Sequence, residues 1–260
     1  MTKDVVWWPK APRTERGRVA VVTVSYNTRE LIAFLLWSLR TIVHWPDLEI
    51  VVVDNGSRDG SARMLADAAE RGLCTLLAND DNRQHGPGLN QGISHLAGRP
   101  GPHPEWIWVL DSDVVATRPD ALSAAVATAH EHSAALVGEL QQDRWHPEGS
   151  FGLFSLLIDP AVVWQEAIGP FTDGGDPASD LLASVARQAV PTAVFPFTAD
   201  GHVIHRGRGT LAAVHAAEDR EHPLYPWAET HHEAHFAEVA GAEQRYLALL
   251  DRFRREAAVI

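Results

Sequence analysis

An apolar run, Trp106-Ile107-Trp108-Val109-Leu110, ends in Asp111-Ser112-Asp113. Two carboxylates one residue apart at the mouth of a buried strand share a side, because side chains alternate along a strand. About two negative charges on so small a patch need a cation or a donor network to be tolerable. Hard carboxylate oxygens suit Mg²⁺ or Mn²⁺, which commonly bridge protein carboxylates to phosphates. The residues therefore point to a metal–diphosphate site. The alternative is a polar strand terminus with two capping aspartates, since Asp-x-Asp is short and common.

The flanking elements decide whether that site can be built. Residues 19–27 form an unbroken β-rich run. Leu31, Ile32, Phe34, Leu35, Leu36, Leu39, Ile42 and Val43 follow at helical spacing. Asn27 or Thr28 is placed to cap that helix, with Glu30 in its first turn. A second apolar run, 48–53, ends in Asp54-Asn55-Gly56-Ser57-Arg58-Asp59-Gly60-Ser61. The pattern then predicts a helix from Ser61 to about Arg71, a strand over 74–78, a helix over 88–97 and the strand leading to Asp111. Alternating strands and helices imply a parallel sheet with right-handed crossovers. Ligands bind such sheets beyond the carboxyl ends of the strands. Ser25 to Asn27, Asp54 and Asp111 to Asp113 all fall there, which predicts one crevice built from three strand ends.

Four segments in this order carry a family resemblance: Val24-Ser25-Tyr26-Asn27, Val53-Asp54-Asn55-Gly56-Ser57-Arg58-Asp59-Gly60-Ser61, Gly86-Pro87-Gly88-Leu89-Asn90-Gln91-Gly92 and Asp111-Ser112-Asp113. Residues 19–113 resemble the nucleotide-binding half of glycosyltransferase family 2, inverting enzymes of the GT-A fold. The resemblance implies an α/β protein: a Rossmann-like, mostly parallel sheet flanked by helices, one domain with a helical C-terminal extension. It divides the chain into an N-terminal arm (1–17), a nucleotide-sugar-binding half (18–115), an acceptor-side half (116–215) and the extension (216–260).

By the same resemblance, Asp54 accepts a hydrogen bond from the nucleotide base, whose ring offers an N–H; its alternative is closing the Asp-Asn-Gly turn. Ser25, Asn27 and Ser112 fall among the donor-binding residues, with helix capping as the alternative for Asn27. Asn90 would contact the sugar or brace its loop, in a stretch whose glycines permit close backbone approach. Arg83 and His85 are candidate diphosphate or sugar contacts, with solvated loop side chains as the alternative. Late in the chain, His205-Arg206-Gly207-Arg208-Gly209-Thr210 resembles the family segment whose histidine completes the metal or diphosphate site. Imidazole suits Mn²⁺ better than Mg²⁺, and Arg206 and Arg208 would supply positive charge for a leaving diphosphate. The family's acceptor base is an acidic residue at a helix start after Asp-x-Asp. Asp176, Asp180 and Asp173 are the candidates, with Asp176 at the helix start beside Pro177 and Asp180 in the first turn.

Composition sets outer bounds. A 260-residue chain with 45% hydrophobic residues has ample material for one core. A lone cysteine, Cys74, excludes an internal disulfide and fits a reducing cytoplasm. Residues 1–18 show no apolar signal core, and no apolar run reaches membrane-spanning length. A net charge of −12 argues against a general nucleic-acid binder. Trp106 and Trp108 read as packing. Trp145, beside His146, would stack on a sugar or seal its loop, and Trp7 and Trp8 would dock on the core. His231 and His235 have zinc-ligand spacing on a helix, yet a solvated helix start is the better reading. From Phe236 to Phe253 an amphipathic pattern predicts a helix able to cover the acceptor side or to form a homodimer.

The expectation is a metal-dependent, inverting glycosyltransferase using Mn²⁺ or Mg²⁺. Its partners would be a nucleoside-diphosphate sugar and a small-molecule, lipid-linked or peptide acceptor. The alternatives are a catalytically silent nucleotide-sugar or carbohydrate-binding protein and a sugar-1-phosphate nucleotidyltransferase. The latter usually carries a Gly-rich basic loop after the first strand, which Ser25-Tyr26-Asn27-Thr28-Arg29 is not.

Overall fold

A computed structural model describes residues 17–100, 102–141, 149–173, 176–210, 234, 236 and 239–257. Trp7, Trp8, Trp145, His146, His231 and His235 lie outside the described residues. The elements run β1 (Val19–Ser25), α1 (Arg29–Thr41), β2 (Leu48–Asp54), α2 (Ser61–Glu70), β3 (Thr75–Ala78), α3 (His85–Gly98), β4 (Trp106–Leu110) and β5 (Val114–Ala116). There follow α4 (Ala121–Glu131), β6 (Leu136–Leu140), β7 (Phe151–Ile158), α5 (Pro160–Val163), α6 (Ser179–Arg187), β8 (Thr192–Val194), β9 (Val203–His205) and α7 (Ala242–Ala257).

Seven strands form one sheet in the order β3-β2-β1-β4-β7-β6-β8, and β5 pairs with β9 apart from it. The first four are parallel. β7 enters antiparallel to β4 and β6, so the sheet is mostly rather than wholly parallel. Continuous apolar runs follow from burial of both faces. Val19, Val21, Ile50, Val52, Trp106 and Trp108 face one helical layer, while Ala20, Val22, Val51, Val53, Ile107 and Val109 face the other. Ile32, Leu35 and Leu39 of α1 pack in the first layer with Leu65 of α2 and Leu122 of α4. Leu89, Ile93 and Leu96 of α3 pack in the second with Leu181 and Val185 of α6. Each such side chain contributes roughly 1.5–3 kcal/mol by leaving water. Trp106 and Trp108 are buried, as expected, and the Trp108 indole donates to Ser155 Oγ at 3.0 Å.

Three boundaries differ from expectation. α3 starts at His85, three residues before the predicted Gly88. Gly86-Pro87-Gly88 reads as a loop, yet Pro87 lies in the first turn, where its missing N–H removes no helical bond. α6 starts at Ser179 rather than beside Pro177. α7 starts at Ala242, well after Phe236. α7 lies against the outer face of α1, where Phe34 and Trp37 meet Tyr246, Leu250 and Phe253 together with Val115 and Ile204 of the β5–β9 pair. Arg254 pairs with Glu30, and Trp37 Nε1 donates to Glu256 at 2.9 Å. No helix among the described residues is long and apolar enough to cross a membrane.

This topology positions the site. β1 leads outward through α1 to β2 on one side, while β4 joins it on the other. The crevice at that reversal, beyond the carboxyl ends, is the standard ligand position in open α/β sheets.

Candidate functional site

Asp111-Ser112-Asp113 is a turn rather than the continued strand expected. β4 stops at Leu110, and the Val114 N–H donates to the Asp111 carbonyl at 3.2 Å. The carboxylates therefore converge through a reversal of the backbone, not through strand alternation. β5 then pairs with β9 in a register that sets Val114 opposite His205. His205 Nε2 lies 3.3 Å from Asp113 Oδ1 and 3.7 Å from Asp111 Oδ2. The ring stacks on Phe154, with centroids 4.7 Å apart and planes 11° from parallel. One ligand atom from each of Asp111, Asp113 and His205 falls within 4.8 Å of the others, a spacing that can hold a metal ion.

The second oxygen of each aspartate faces a different group. Asp113 Oδ2 accepts the Gly209 N–H at 2.8 Å. Asp111 Oδ1 is buried without a hydrogen-bond partner among the described residues, and His85 Nε2 faces it at 3.5 Å. Arg206 donates its backbone N–H to the Asp113 carbonyl at 3.1 Å, and its Nη1 is buried with no partner among the described residues.

Electrostatics follow this geometry. Burial pushes the Asp111 carboxyl up, against the pull of His85 and His205, and nearby Asp113 and Asp176 push it further. Burial also works against ionised Asp113. There the charge and hydrogen bond of His205, the Gly209 N–H and Arg206 outweigh it and hold the carboxyl below its ordinary value. For His205, burial favours the neutral ring, but Asp113 and Asp111 outweigh it and raise the imidazole above 6.5. Burial pushes the nearby Tyr246 phenol up to about 12, which keeps it protonated.

The Asp54 region is a wired turn. Asp54 Oδ1 and Oδ2 accept from Ser57 Oγ at 2.6 Å and Ser57 N at 3.0 Å. Asn27, at φ +53°, does not cap α1: its Oδ1 accepts the Arg58 N–H at 2.7 Å and its N–H donates to Ser57 Oγ. Thr28 occupies the cap position, also without a capping side-chain bond, and its hydroxyl meets that of buried Ser25 at 3.2 Å. Asp59 does the capping, accepting from Arg29 N of α1 through one oxygen and from Ser61 N and Oγ of α2 through the other.

Asn90 is a brace: its Nδ2 donates to the Phe171 carbonyl at 2.7 Å and its Oδ1 accepts the Phe171 N–H at 3.1 Å. The same segment touches Gly86, where a Cβ would stand 2.4 Å from the Thr172 carbonyl oxygen. Asp173 accepts the Gly86 N–H at 3.3 Å, so it ties this segment to the α3 N-terminus. Asp176 accepts the Ala178 N–H at 3.0 Å, and its charge is felt at Asp111. Asp180 is exposed on the first turn of α6. Ser112 is buried within the turn.

Two contributors had weaker signals. Gly209 meets Asp113 from 96 residues away, and only its place two residues after another glycine hinted at a tight approach. Glu139 of β6 accepts from Thr198 N and Oγ1 at 2.5 and 2.6 Å and bears electrostatically on His205. Nothing local to Glu139 marks that role.

Residues 20–147 match the model of the family described as glycosyl transferase family 2. An undecaprenyl-phosphate 4-deoxy-4-formamido-L-arabinose transferase of Enterobacter sp. (strain 638) is 32% identical over 147 residues, which are 54% of this chain and 43% of that protein. The chain thus spans less than half the length of this curated relative. Among solved structures, a mannosyltransferase of Pyrobaculum calidifontis in complex with GDP-Man and Mn²⁺ superposes with a TM-score of 0.56 at 20% identity, covering 98% of this chain and 79% of that one. A glucosyl-3-phosphoglycerate synthase of Mycobacterium tuberculosis, in complex with Mn²⁺, UDP and phosphoglyceric acid, gives 0.52 at 15% identity over 72% and 74%. At these identities the structural likeness establishes the fold, and the four ordered motifs lie within the matched segment. Residues 20–147, just under half of the chain, thus match glycosyl transferase family 2, and the solved structures share the chain's GT-A fold.

Proposed function

We propose that the protein moves a sugar from a nucleoside-diphosphate sugar to an acceptor hydroxyl, with inversion, using Mn²⁺ or Mg²⁺. The observation that carries this reading is a pairing of opposite needs. Asp111, Asp113 and His205 present a cation's ligands, and Arg206 beside them buries a guanidinium nitrogen that has no partner among the described residues and needs an anion. A divalent ion with a diphosphate satisfies both. The mixed oxygen and imidazole set favours Mn²⁺ over Mg²⁺, and the Mn²⁺ complexes of the two structural relatives agree with that choice. When bound, the ion would neutralise the diphosphate as it leaves.

The remaining roles belong to this chain's own groups. Asp54, with lone pairs beyond those given to Ser57, would accept from the base, and the Ser25 to Asn27 and Ser112 backbone would line the same donor pocket. Arg206 would bind the departing phosphate oxygens. Asn90 would hold the Phe171 segment in place rather than touch the sugar. Among the three acidic candidates, Asp176 is the proposed base: its charge reaches Asp111, whereas Asp173 is spent on α3 and Asp180 is exposed. It would take the acceptor proton as the hydroxyl attacks the anomeric carbon from the face opposite the leaving diphosphate. We read the site of action as the cytoplasm and the acceptor as a small molecule, a lipid-linked carrier or a peptide.

The test is release of nucleoside diphosphate from UDP-glucose, UDP-GlcNAc and GDP-Man with Mn²⁺, for the wild type, Asp176→Asn and Asp180→Asn. Asp176→Asn should bind donor normally yet lose roughly 10²–10⁴-fold in turnover, while Asp180→Asn stays near wild type. Full turnover by Asp176→Asn would place the base elsewhere. Binding without turnover of any donor would favour the silent sugar-nucleotide binder.

A further inference from the structure

We infer that His85 is a positioning residue that fixes Asp111 for metal binding, as the Gly209 N–H fixes Asp113. The inference rests on the metal reading of the Asp111, Asp113 and His205 cluster. Each aspartate there turns one oxygen toward His205 and the other away. The outer oxygen of Asp113 is held by a backbone donor at 2.8 Å. Among the described residues, the outer oxygen of Asp111 is buried and accepts no hydrogen bond, and His85 Nε2 lies 3.5 Å from it. A carboxylate free to rotate about its last bond presents its inner oxygen to an ion only part of the time. Donors behind ligating carboxylates typically set about 10–100-fold in metal affinity.

The fold gives His85 this place through a local device. Gln84, at φ +71°, turns the chain into α3, so that His85 becomes the first helical residue. Gly86 lets the helix start press against the Thr172 backbone, and the Gly86 N–H is held by Asp173. The backbone beside His85 is thereby tied to the 172–173 segment, while the ring faces Asp111 at the end of β4. His85 stands outside the cluster whose ligand atoms lie within 4.8 Å of one another, so it acts on Asp111 and not as a fourth ligand. At 3.5 Å the contact is slack, and a shift of about half an ångström makes it a full hydrogen bond.

The test is Mn²⁺ binding without nucleotide, followed by electron paramagnetic resonance, for wild type, His85→Phe, His85→Gln and Asp113→Ala. Gln sets an amide N–H at the same chain position, while Phe keeps the ring and loses the donor. His85→Phe should weaken Mn²⁺ about 10-fold, and His85→Gln should recover affinity to within about 3-fold of wild type. Wild-type affinity in His85→Phe, or equal losses in both variants, would overturn the inference while Asp113→Ala still abolishes binding. Undiminished Mn²⁺ binding by Asp113→Ala would instead sink the metal reading itself. His85 is about one-third exposed, so both variants should fold, and thermal denaturation checks this.

Discussion

Replacing Gly209 with alanine isolates the contact that shapes Asp113. Gly209 has no positive φ, so alanine meets no backbone penalty there. The obstacle is space: a Cβ would stand 2.8 Å from Asp113 Cβ, 2.9 Å from its Oδ2 and 2.5 Å from Leu31 Cδ1. The Leu31 methyl can swing aside. Asp113 Cβ is fixed to its backbone, so relief needs about 0.6 Å of movement in the turn or in the 206–209 loop. Overpacking of this kind costs about 1–3 kcal/mol, and loss of a charge-assisted bond from Gly209 N adds a similar amount. At roughly 2–4 °C per kcal/mol, the two together should lower the melting temperature by about 4–24 °C. Mn²⁺ affinity should fall at least about 10-fold, since the ligand itself moves. Gly98→Ala is the control: nothing lies within 4 Å of a Cβ there, and alanine should be neutral or slightly stabilising. Calorimetry and Mn²⁺ titration of both variants decide the matter. A Gly209→Ala protein that melts and binds Mn²⁺ like wild type would refute the claim that the loop closes tightly on Asp113.

Other outcomes follow from the same wiring. Asp59→Ala removes the shared cap of α1 and α2 and should cost about 1–2 kcal/mol in urea unfolding, discounted for its exposure; an unchanged midpoint would show that water replaces it. The raised imidazole of His205 sets a pH dependence. Its contribution to the metal-free fold is complete below 6.5 and is lost as pH rises through the higher folded value. A metal needs the neutral ring, so a proton competes at low pH. Stabilisation of the melting temperature by Mn²⁺ should therefore widen between about pH 6 and pH 8. A constant difference across that range would contradict the assignment of His205.

Much of the first half was legible because its forces are local. β1, β2 and β4 read as strands since both faces are buried and apolar residues dominate them, with Thr23 and Glu49 the polar exceptions inside the first two. The order of strand ends then located the crevice. What misled was chemistry that reads differently in isolation. Gly86-Pro87-Gly88 looks like a loop until the Thr172 backbone and Val24 are seen pressing against it. Asp111 and Asp113 converge as expected, but by a turn and by pairing of β5 with β9, a partnership between residues some 90 positions apart. Asn90 looked free to meet a ligand because its partner, the Phe171 backbone, is 81 residues away. Contacts of that range leave no periodic trace in a single chain. The antiparallel entry of β7, buried on every residue, was hidden for the same reason.

The most direct test of the central claim is calorimetric titration of the wild type and of Asp113→Ala with UDP, GDP and dTDP, each with and without Mn²⁺. The account predicts tight binding of one nucleotide by the wild type only when Mn²⁺ is present, and loss of that dependence in Asp113→Ala. Equal nucleotide affinity with and without the ion, or an Asp113→Ala protein that binds as the wild type does, would contradict it.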